Sequence, residues 1–191
     1  MDLLKAYLNS FSPLSEDTWN AVRILFTEEH LSKNDYFIKE GEASEHIAFL
    51  EKGIFRSFYR NEAGKEYNNH IFTAPSFIGG YSSLLSGLKN QTNQQALTNC
   101  SIYVANYKNL ISLYKKFPDL ETVARKWAEQ KFITMEQREI DIVVLTADKR
   151  YELLVKEISG ISQLIPQYHI ASYLGITPTQ LSRIRRKMSG K

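Results

Sequence analysis

The chain has 191 residues and a formal net charge of +3, and 43% of its residues are hydrophobic and 12% aromatic. This composition supports a packed core and excludes general disorder, and no stretch approaches the roughly 18 apolar residues of a membrane-spanning helix. Residues 1 to 9 lack the basic start and long apolar run of a signal peptide, so we expect a cytoplasmic protein without a membrane partner. The only cysteine, Cys100, excludes an internal disulfide, and we interpret it as a small buried residue.

The positive charge is concentrated near the C-terminus. Residues 146 to 191 carry eight Lys or Arg and three Asp or Glu, whereas residues 1 to 145 carry 16 basic and 18 acidic residues. A basic final quarter is expected if that quarter binds phosphate groups, although basic helix ends are common in other proteins.

In chain order, the first element is a helix capped by Ser15, with Trp19, Val22 and Phe26 at helical spacing. From about Leu31 to Ala105, short runs rich in Tyr, Phe, Ile and Val alternate with glycine or polar turns. The clearest runs are 36–38, 47–50, 54–59 and 102–104. Short strands at this spacing predict a β-sandwich or barrel-like unit over residues 1–117.

A long helix is predicted from Pro118 to Leu145, since no further proline or glycine occurs before Gly160. Its apolar residues approximate one stripe, interrupted by Lys131 and Arg138; the stripe consists of Ala124, Trp127, Ala128, Met135, Ile142 and Leu145. A helix of about 28 residues is about 42 Å long. Because a small domain cannot cover that length, we expect it to pair with a second copy, with packing within the chain as the alternative.

Residues 146–191 are predicted to form a helical DNA-binding domain. Thr146 is placed to cap a new helix, and residues 167 to 174 have the spacing of another. Gly175 follows at the position of a left-handed C-cap, and Thr177, Pro178 and Gln180 form the start of the next helix with a Thr-x-x-Gln capping box. Two helices joined by this turn predict a helix-turn-helix; an ordinary helical hairpin is the alternative.

The second of these helices has a polar and cationic outer face that suits DNA. Its early residues are expected to meet bases, and Arg186 and Lys187 to meet the phosphate backbone. Gln167 and His169 of the first helix are further candidates, His169 either for a phosphate or as a cap of its helix. The predicted DNA-binding residues are Gln167, His169, Thr177, Thr179, Gln180, Ser182, Arg183, Arg186 and Lys187.

Taken together, the chain resembles the catabolite-activator/Fnr superfamily of transcription regulators. Residues 37–42, 49–53, 63–66 and 77–80 are similar to four successive glycine turns of its cyclic-nucleotide-binding β-roll, and the long helix and the helix-turn-helix follow in family order. The resemblance implies an α+β protein with a jelly-roll-like effector domain, a dimerisation helix and a winged helix-turn-helix. It further implies a homodimer that binds double-stranded DNA and contacts RNA polymerase. The chain ends at Lys191, so we expect the β-wing to be very short or missing.

The sequence departs from this family where a cyclic nucleotide would bind. Members that bind cyclic AMP have a glutamate where this chain has Gly80, and an Arg-Ser pair within the stretch that matches Asn90 to Gln95, which has no cation. A phosphate buried without a cation lacks its strongest hydrogen bonds, so we expect that no cyclic nucleotide binds. The sequence indicates no particular cofactor in its place. The effector pocket implied by the resemblance consists of Gly79, Gly80, Tyr81, Ser82, Ser83, Gln91, Thr92 and Trp127.

Three alternatives to a DNA-binding regulator of this kind remain open. The first is a sensor whose switch is a small molecule other than a nucleotide. The second is a regulator that does respond to a cyclic nucleotide. The third is a metal-dependent β-barrel enzyme, which would need clustered histidines. The four histidines, at 30, 46, 70 and 169, have no metal-ligand spacing, and neither a Ser-His-Asp order nor a Walker loop stands out. We therefore expect neither an enzyme nor a metal site.

Overall fold

The computed structural model describes residues 1–188. The helices are α1 (Asp2–Asn9), α2 (Glu16–Arg23), α3 (Tyr81–Ser86), α4 (Tyr107–Ser112), α5 (Pro118–Val144), α6 (Ala147–Glu157), α7 (Ile161–Leu164), α8 (Gln167–Leu174) and α9 (Pro178–Met188). The strands are β1 (Thr27–Leu31), β2 (Tyr36–Ile38), β3 (His46–Lys52), β4 (Ile54–Arg60), β5 (Glu66–Thr73), β6 (Ser76–Ile78), β7 (Asn93–Ala96) and β8 (Cys100–Asn106). Within residues 1–188, none of these helices is long and apolar enough to cross a membrane.

The eight strands form two antiparallel sheets that face each other. One sheet has the order β1-β8-β3-β6 and the other β2-β7-β4-β5. Leu50 and Ile102 from the first sheet and Phe55 from the second are completely buried between them. Cys100 is also buried, as expected. The predicted jelly-roll-like domain is confirmed, because two four-stranded antiparallel sheets enclose this core.

Tight backbone turns connect these strands at the predicted glycines. Gly53, between β3 and β4, has a φ of +110°, and a Cβ atom there would meet the backbone of Asn99 and Cys100. A residue without a side chain is therefore required at this turn.

The N-terminal helices cover the outer face of the first sheet. Phe49 of β3 packs there with Leu4 of α1, Val22 of α2 and Val123 of α5. The predicted cap is confirmed, since the Ser15 hydroxyl accepts a hydrogen bond from the Thr18 backbone N–H. The helix α1 had no clear signal in the sequence, because it is short and only Leu4 and Leu8 are buried.

The long helix α5 spans 27 residues, one shorter than predicted. Its first half packs on its own β-roll, where Trp127 meets Phe77 and Tyr81 edge-on at ring-centre distances of 5.8 and 5.2 Å. The predicted single stripe therefore has to be corrected, because its first part faces the same chain. In the second half, Met135 and Ile142 of the predicted stripe are exposed, together with five further apolar residues: Phe132, Ile133, Ile140, Val143 and Val144.

The four C-terminal helices pack around one small core, to which side chains of the β-roll also contribute. Thr146 caps α6 as predicted, Gly175 ends α8 at a φ of +69°, and the side chains of Thr177 and Gln180 each accept a hydrogen bond from the other's backbone N–H. Ile170, Leu181 and Ile184 are buried in this core. Helices α8 and α9 therefore have the predicted bounds and turn of a helix-turn-helix, and the described chain contains only helices after β8.

Candidate DNA-binding site and effector domain

The helix α9 presents one buried and one exposed face. Leu181 and Ile184 are 1% and 7% exposed and hold the helix on α8. The opposite face is exposed and combines hydrogen-bonding with cationic side chains: Thr179, Gln180, Ser182, Arg183, Arg185, Arg186 and Lys187. Thr177 is also exposed, but its hydroxyl takes part in the capping box. This face combines the side-chain types that read base edges with those that bind phosphates.

Lys187 forms an ion pair within the domain. Its Nζ lies 2.7 Å from Oδ2 of Asp148 at the start of α6, and this contact raises the pKa of Lys187. Both side chains are at least one third exposed, so the pair is worth little in water. Lys187 can therefore exchange Asp148 for a DNA phosphate at small cost.

His169 occupies a different environment from the one predicted. It is 5% exposed and lies between α8 and the second sheet, where its ring approaches Arg56 and Asn68. Its ring neither caps α8 nor reaches a phosphate in this arrangement, so we remove it from the predicted DNA-binding residues. Gln167 is half-buried, and its Nε2 donates to the Ser162 carbonyl.

A buried polar cluster joins the β-roll to the DNA-binding domain. Arg56 of β4 is 5% exposed; its guanidinium lies 2.7 Å from Glu66 and donates twice to Gln95, at 3.0 and 2.6 Å. Asn68 of β5 donates to the His169 carbonyl at 3.0 Å. We call Arg56, Glu66, Asn68, Gln95 and His169 the interdomain cluster.

Apolar side chains surround the interdomain cluster. Ile54, Ile71 and Leu97, on the outer face of the second sheet, belong to the same hydrophobic cluster as the core of α6 to α9. The partners of Arg56 come from three separate parts of the chain, β5, β7 and α8, so no local sequence pattern indicates them.

The predicted effector segment is already filled by the protein's own side chains. A Cβ atom on Gly80 would collide with Asn90 and Ser44, whose side chains are hydrogen-bonded to each other. Gln94 binds both the N–H and the carbonyl of Gly79 at 2.9 Å, and the Ser83 hydroxyl bonds to Ser44 and Leu88.

The remaining residues predicted for the effector pocket are scattered. Gln91 and Ser82 are exposed and Thr92 is half-buried. Of these predicted residues, Tyr81 and Trp127 line the same cavity. The effector pocket as a whole stays a prediction.

Strand β7 contacts both regions through consecutive residues. Gln94 points into the β-roll and holds Gly79, whereas Gln95 points out and holds Arg56 of the interdomain cluster. Neighbouring residues of a strand face opposite sides of a sheet. Strand β7 therefore bonds directly to the turn at Gly79 and, through Arg56, reaches His169 of α8.

Comparison with known proteins agrees with this architecture. Residues 28–117 match the model of the cyclic nucleotide-binding domain. No curated protein sequence matches the chain.

Solved structures of bacterial transcription regulators share the fold over most of the chain. FixK2 from Bradyrhizobium japonicum is 18% identical, with a TM-score of 0.72 and 86% of each chain covered. The c-di-GMP-responsive regulator CLP of Xanthomonas campestris is 11% identical, with a TM-score of 0.70 and 92% of each chain covered. The Thermus thermophilus catabolite activator protein is 16% identical, with a TM-score of 0.59, and the match covers 96% of this chain and 87% of that one. Residues 28–117 thus form a cyclic nucleotide-binding-type domain, within a chain that has the fold of the catabolite-activator/Fnr transcription regulators.

Proposed function

We propose that the protein is a homodimeric, sequence-specific DNA-binding transcription regulator that does not respond to cyclic AMP. The observation that carries this proposal is α9, which buries Leu181 and Ile184 and leaves a polar, cationic face exposed on a correctly capped helix-turn-helix. If α8 and α9 were only a structural helical hairpin, nothing would require three arginines and a lysine in the last two turns of α9. The role implies a cytoplasmic location, contact with RNA polymerase and no catalytic activity.

The dimer is proposed from the second half of α5. Phe132, Ile140 and Val143 are 68%, 48% and 84% exposed, and Ile133 and Val144 lie beside them. Exposed apolar side chains repeating along one helix face favour pairing with another helix. A second copy of α5 supplies the same face, and a two-fold axis would place two α9 helices on one side of a duplex.

Selection of binding sites from random duplex DNA tests the proposed function. We expect a symmetric site whose half-sites lie about one helical turn, roughly 34 Å, apart. Sedimentation of the complex should give two chains per site. If the selection yields no enriched sequence, or an asymmetric site bound by one chain, the proposal of a dimeric regulator is contradicted.

A small-molecule sensor is the second candidate, because the chain contains a cavity outside the filled effector segment. The cavity, of about 490 Å³, is lined by α3, α4 and the start of α5 and lies within the usual size range of small-molecule sites. A compound that controls DNA binding must bind one state of the protein better than the other. DNA titrations with and without each compound found in a thermal-shift screen would identify it.

A further inference from the structure

A cavity opens where α3, α4 and the first three turns of α5 meet. Its outer part has a volume of about 490 Å³, and three tyrosines, Tyr81, Tyr107 and Tyr114, form its inner wall. Behind these tyrosines lies a chamber of about 50 Å³ lined by apolar side chains, among them Phe77 and Trp127. Ala124 of α5 borders both parts. We call the two parts together the tyrosine-lined cavity.

The tyrosines place neutral hydrogen-bonding groups at the boundary between the two parts. Burial raises the pKa of Tyr107, and it raises the pKa of Tyr114 to about 12. Both hydroxyls therefore stay protonated at neutral pH, where each can donate one hydrogen bond and accept others. Such groups suit an alcohol, an amide or an ester better than they suit an ion.

The charges at the rim argue against a phosphate or another strong anion. Arg125 is paired with Glu129 at 2.6 Å, both side chains being more than half exposed, and Glu121 is a further carboxylate at the rim. The charged side chains that line the rim are Glu121 and Arg125, so the rim has no excess of positive charge and an anion would meet one carboxylate for one guanidinium. A cationic ligand is disfavoured as well, because it would have to approach the positively charged Arg125.

The inner chamber limits the shape of what can enter. It is smaller than the roughly 150 Å³ apolar cavity that accommodates a benzene ring. Its volume suits a slender group, such as the end of an unbranched alkyl chain, and Ala124 lies at the border with the outer part. Removing that chain from water supplies the driving force, at about 0.8 kcal/mol per buried CH₂ group.

We propose that the tyrosine-lined cavity binds an uncharged amphiphile, whose unbranched alkyl end enters the apolar chamber and whose head group hydrogen-bonds to the tyrosine hydroxyls. The site is separate from the filled segment around Gly80, because neither Gly80 nor Asn90 lines it. Since α3 begins beside the Gly79 turn and α5 carries the exposed apolar face, an occupant contacts both elements at once. Control of DNA binding by such a ligand rests on the proposed function, whereas binding of the ligand to the cavity does not depend on it.

Isothermal titration of the full chain with 1-octanol, octanoate and octylamine tests the site. We expect saturable binding of 1-octanol, and at least fivefold weaker binding of octanoate and of octylamine. Ala124→Leu, which narrows the passage between the two parts, should weaken 1-octanol binding at least tenfold. The double variant Tyr107→Phe with Tyr114→Phe should weaken it about three- to tenfold, since it removes hydroxyls without changing shape.

Two controls have matched chemistry elsewhere in the chain. Ala147→Leu changes another half-buried helical alanine and Tyr59→Phe an exposed tyrosine of β4, and both should bind 1-octanol like the wild type. Absence of saturable 1-octanol binding, tighter binding of either charged probe, or equal binding by Ala124→Leu would overturn the proposal. None of these results would alter the DNA selection, so failure of the site and failure of the proposed function are distinguishable.

Discussion

Arg183 projects from the middle of the exposed face of α9, where its guanidinium can contact O6 and N7 of a guanine. We expect Arg183→Ala to weaken specific binding by ~1–3 kcal/mol and to relax the preference at one base pair in each half-site. Lys187→Ala is the comparison, because it should weaken binding to all sequences alike and reduce the salt slope by about one unit. Repeating the site selection with each variant measures both effects. If Arg183→Ala selects the same DNA sequence as the wild type, a residue other than Arg183 recognises the bases.

Arg56 is the residue on which the interdomain cluster depends. Arg56→Leu leaves Glu66 and the surrounding amides without their donor, so we expect a loss of about 2–3 kcal/mol in the free energy of unfolding. Arg60→Leu is the matched control, since Arg60 binds the same Glu66 at 2.9 Å but is 43% exposed, and its loss should lower the free energy of unfolding much less than the loss of Arg56. Urea unfolding measures both. Equal losses in the free energy of unfolding for the two variants would mean that burial of the interdomain cluster adds nothing to stability.

Gly80 and its neighbours determine the expected response to cyclic AMP. Asn90 and Ser44 occupy the space beside Gly80, and the bonds from Gln94 close the Gly79 turn. We therefore expect binding that is weak or undetectable by isothermal titration at micromolar protein. A submicromolar dissociation constant would show that this segment rearranges to admit a nucleotide.

At the scale of elements, α5 has two faces with different roles. Trp127 packs on the chain's own β-roll, and Ile140, four turns further on, is exposed. We expect Ile140→Glu to convert the dimer into a folded monomer, because each two-fold contact would bury a carboxylate from both chains. Sedimentation equilibrium at tens of micromolar measures this. Leu164→Glu, on an equally exposed leucine of α7, should remain dimeric; a monomeric wild type would refute the α5 dimer.

At the scale of the whole molecule, the buried His169 and the half-buried His70 make stability depend on pH. Burial, with Lys131 and Arg138 nearby, lowers the pKa of His70 to about 4. Burial and Arg56 lower the pKa of His169 to about 4 as well. An unfolded chain takes up these protons below about pH 6.5, whereas the folded chain does not. Acidification between these pKa values therefore favours the unfolded state.

Unfolding free energies at several pH values measure this dependence. We expect stability to fall by up to about 1.4 kcal/mol per pH unit for each histidine as pH decreases from 6.5 to 4.5, with little change above 7. His169→Gln should reduce the slope by about half. His30→Gln, at a side chain that is 72% exposed, should leave the slope unchanged. A stability that is flat across this range would mean that both histidines are protonated in the folded state.

The helix-turn-helix, the capped helices and the glycine turns could be predicted from the sequence alone. Their causes lie within a few residues of each other, as in the capping box of Thr177 and Gln180 or the C-cap at Gly175. A backbone N–H at a helix end takes its partner from a neighbour in the chain, so the residue types at fixed spacing determine the local structure.

Only the tertiary structure decided the environments of His169, Gly80 and α5. His169 has the same sequence neighbours whether it faces DNA or Arg56, which lies 113 residues away in the chain. Gly80 is closed off by Asn90 and Ser44, and the inward face of α5 is set by the aromatic residues that Trp127 meets. Burial and charge pairing depend on contacts between distant segments, and these contacts exist only after the sheets and helices have packed together.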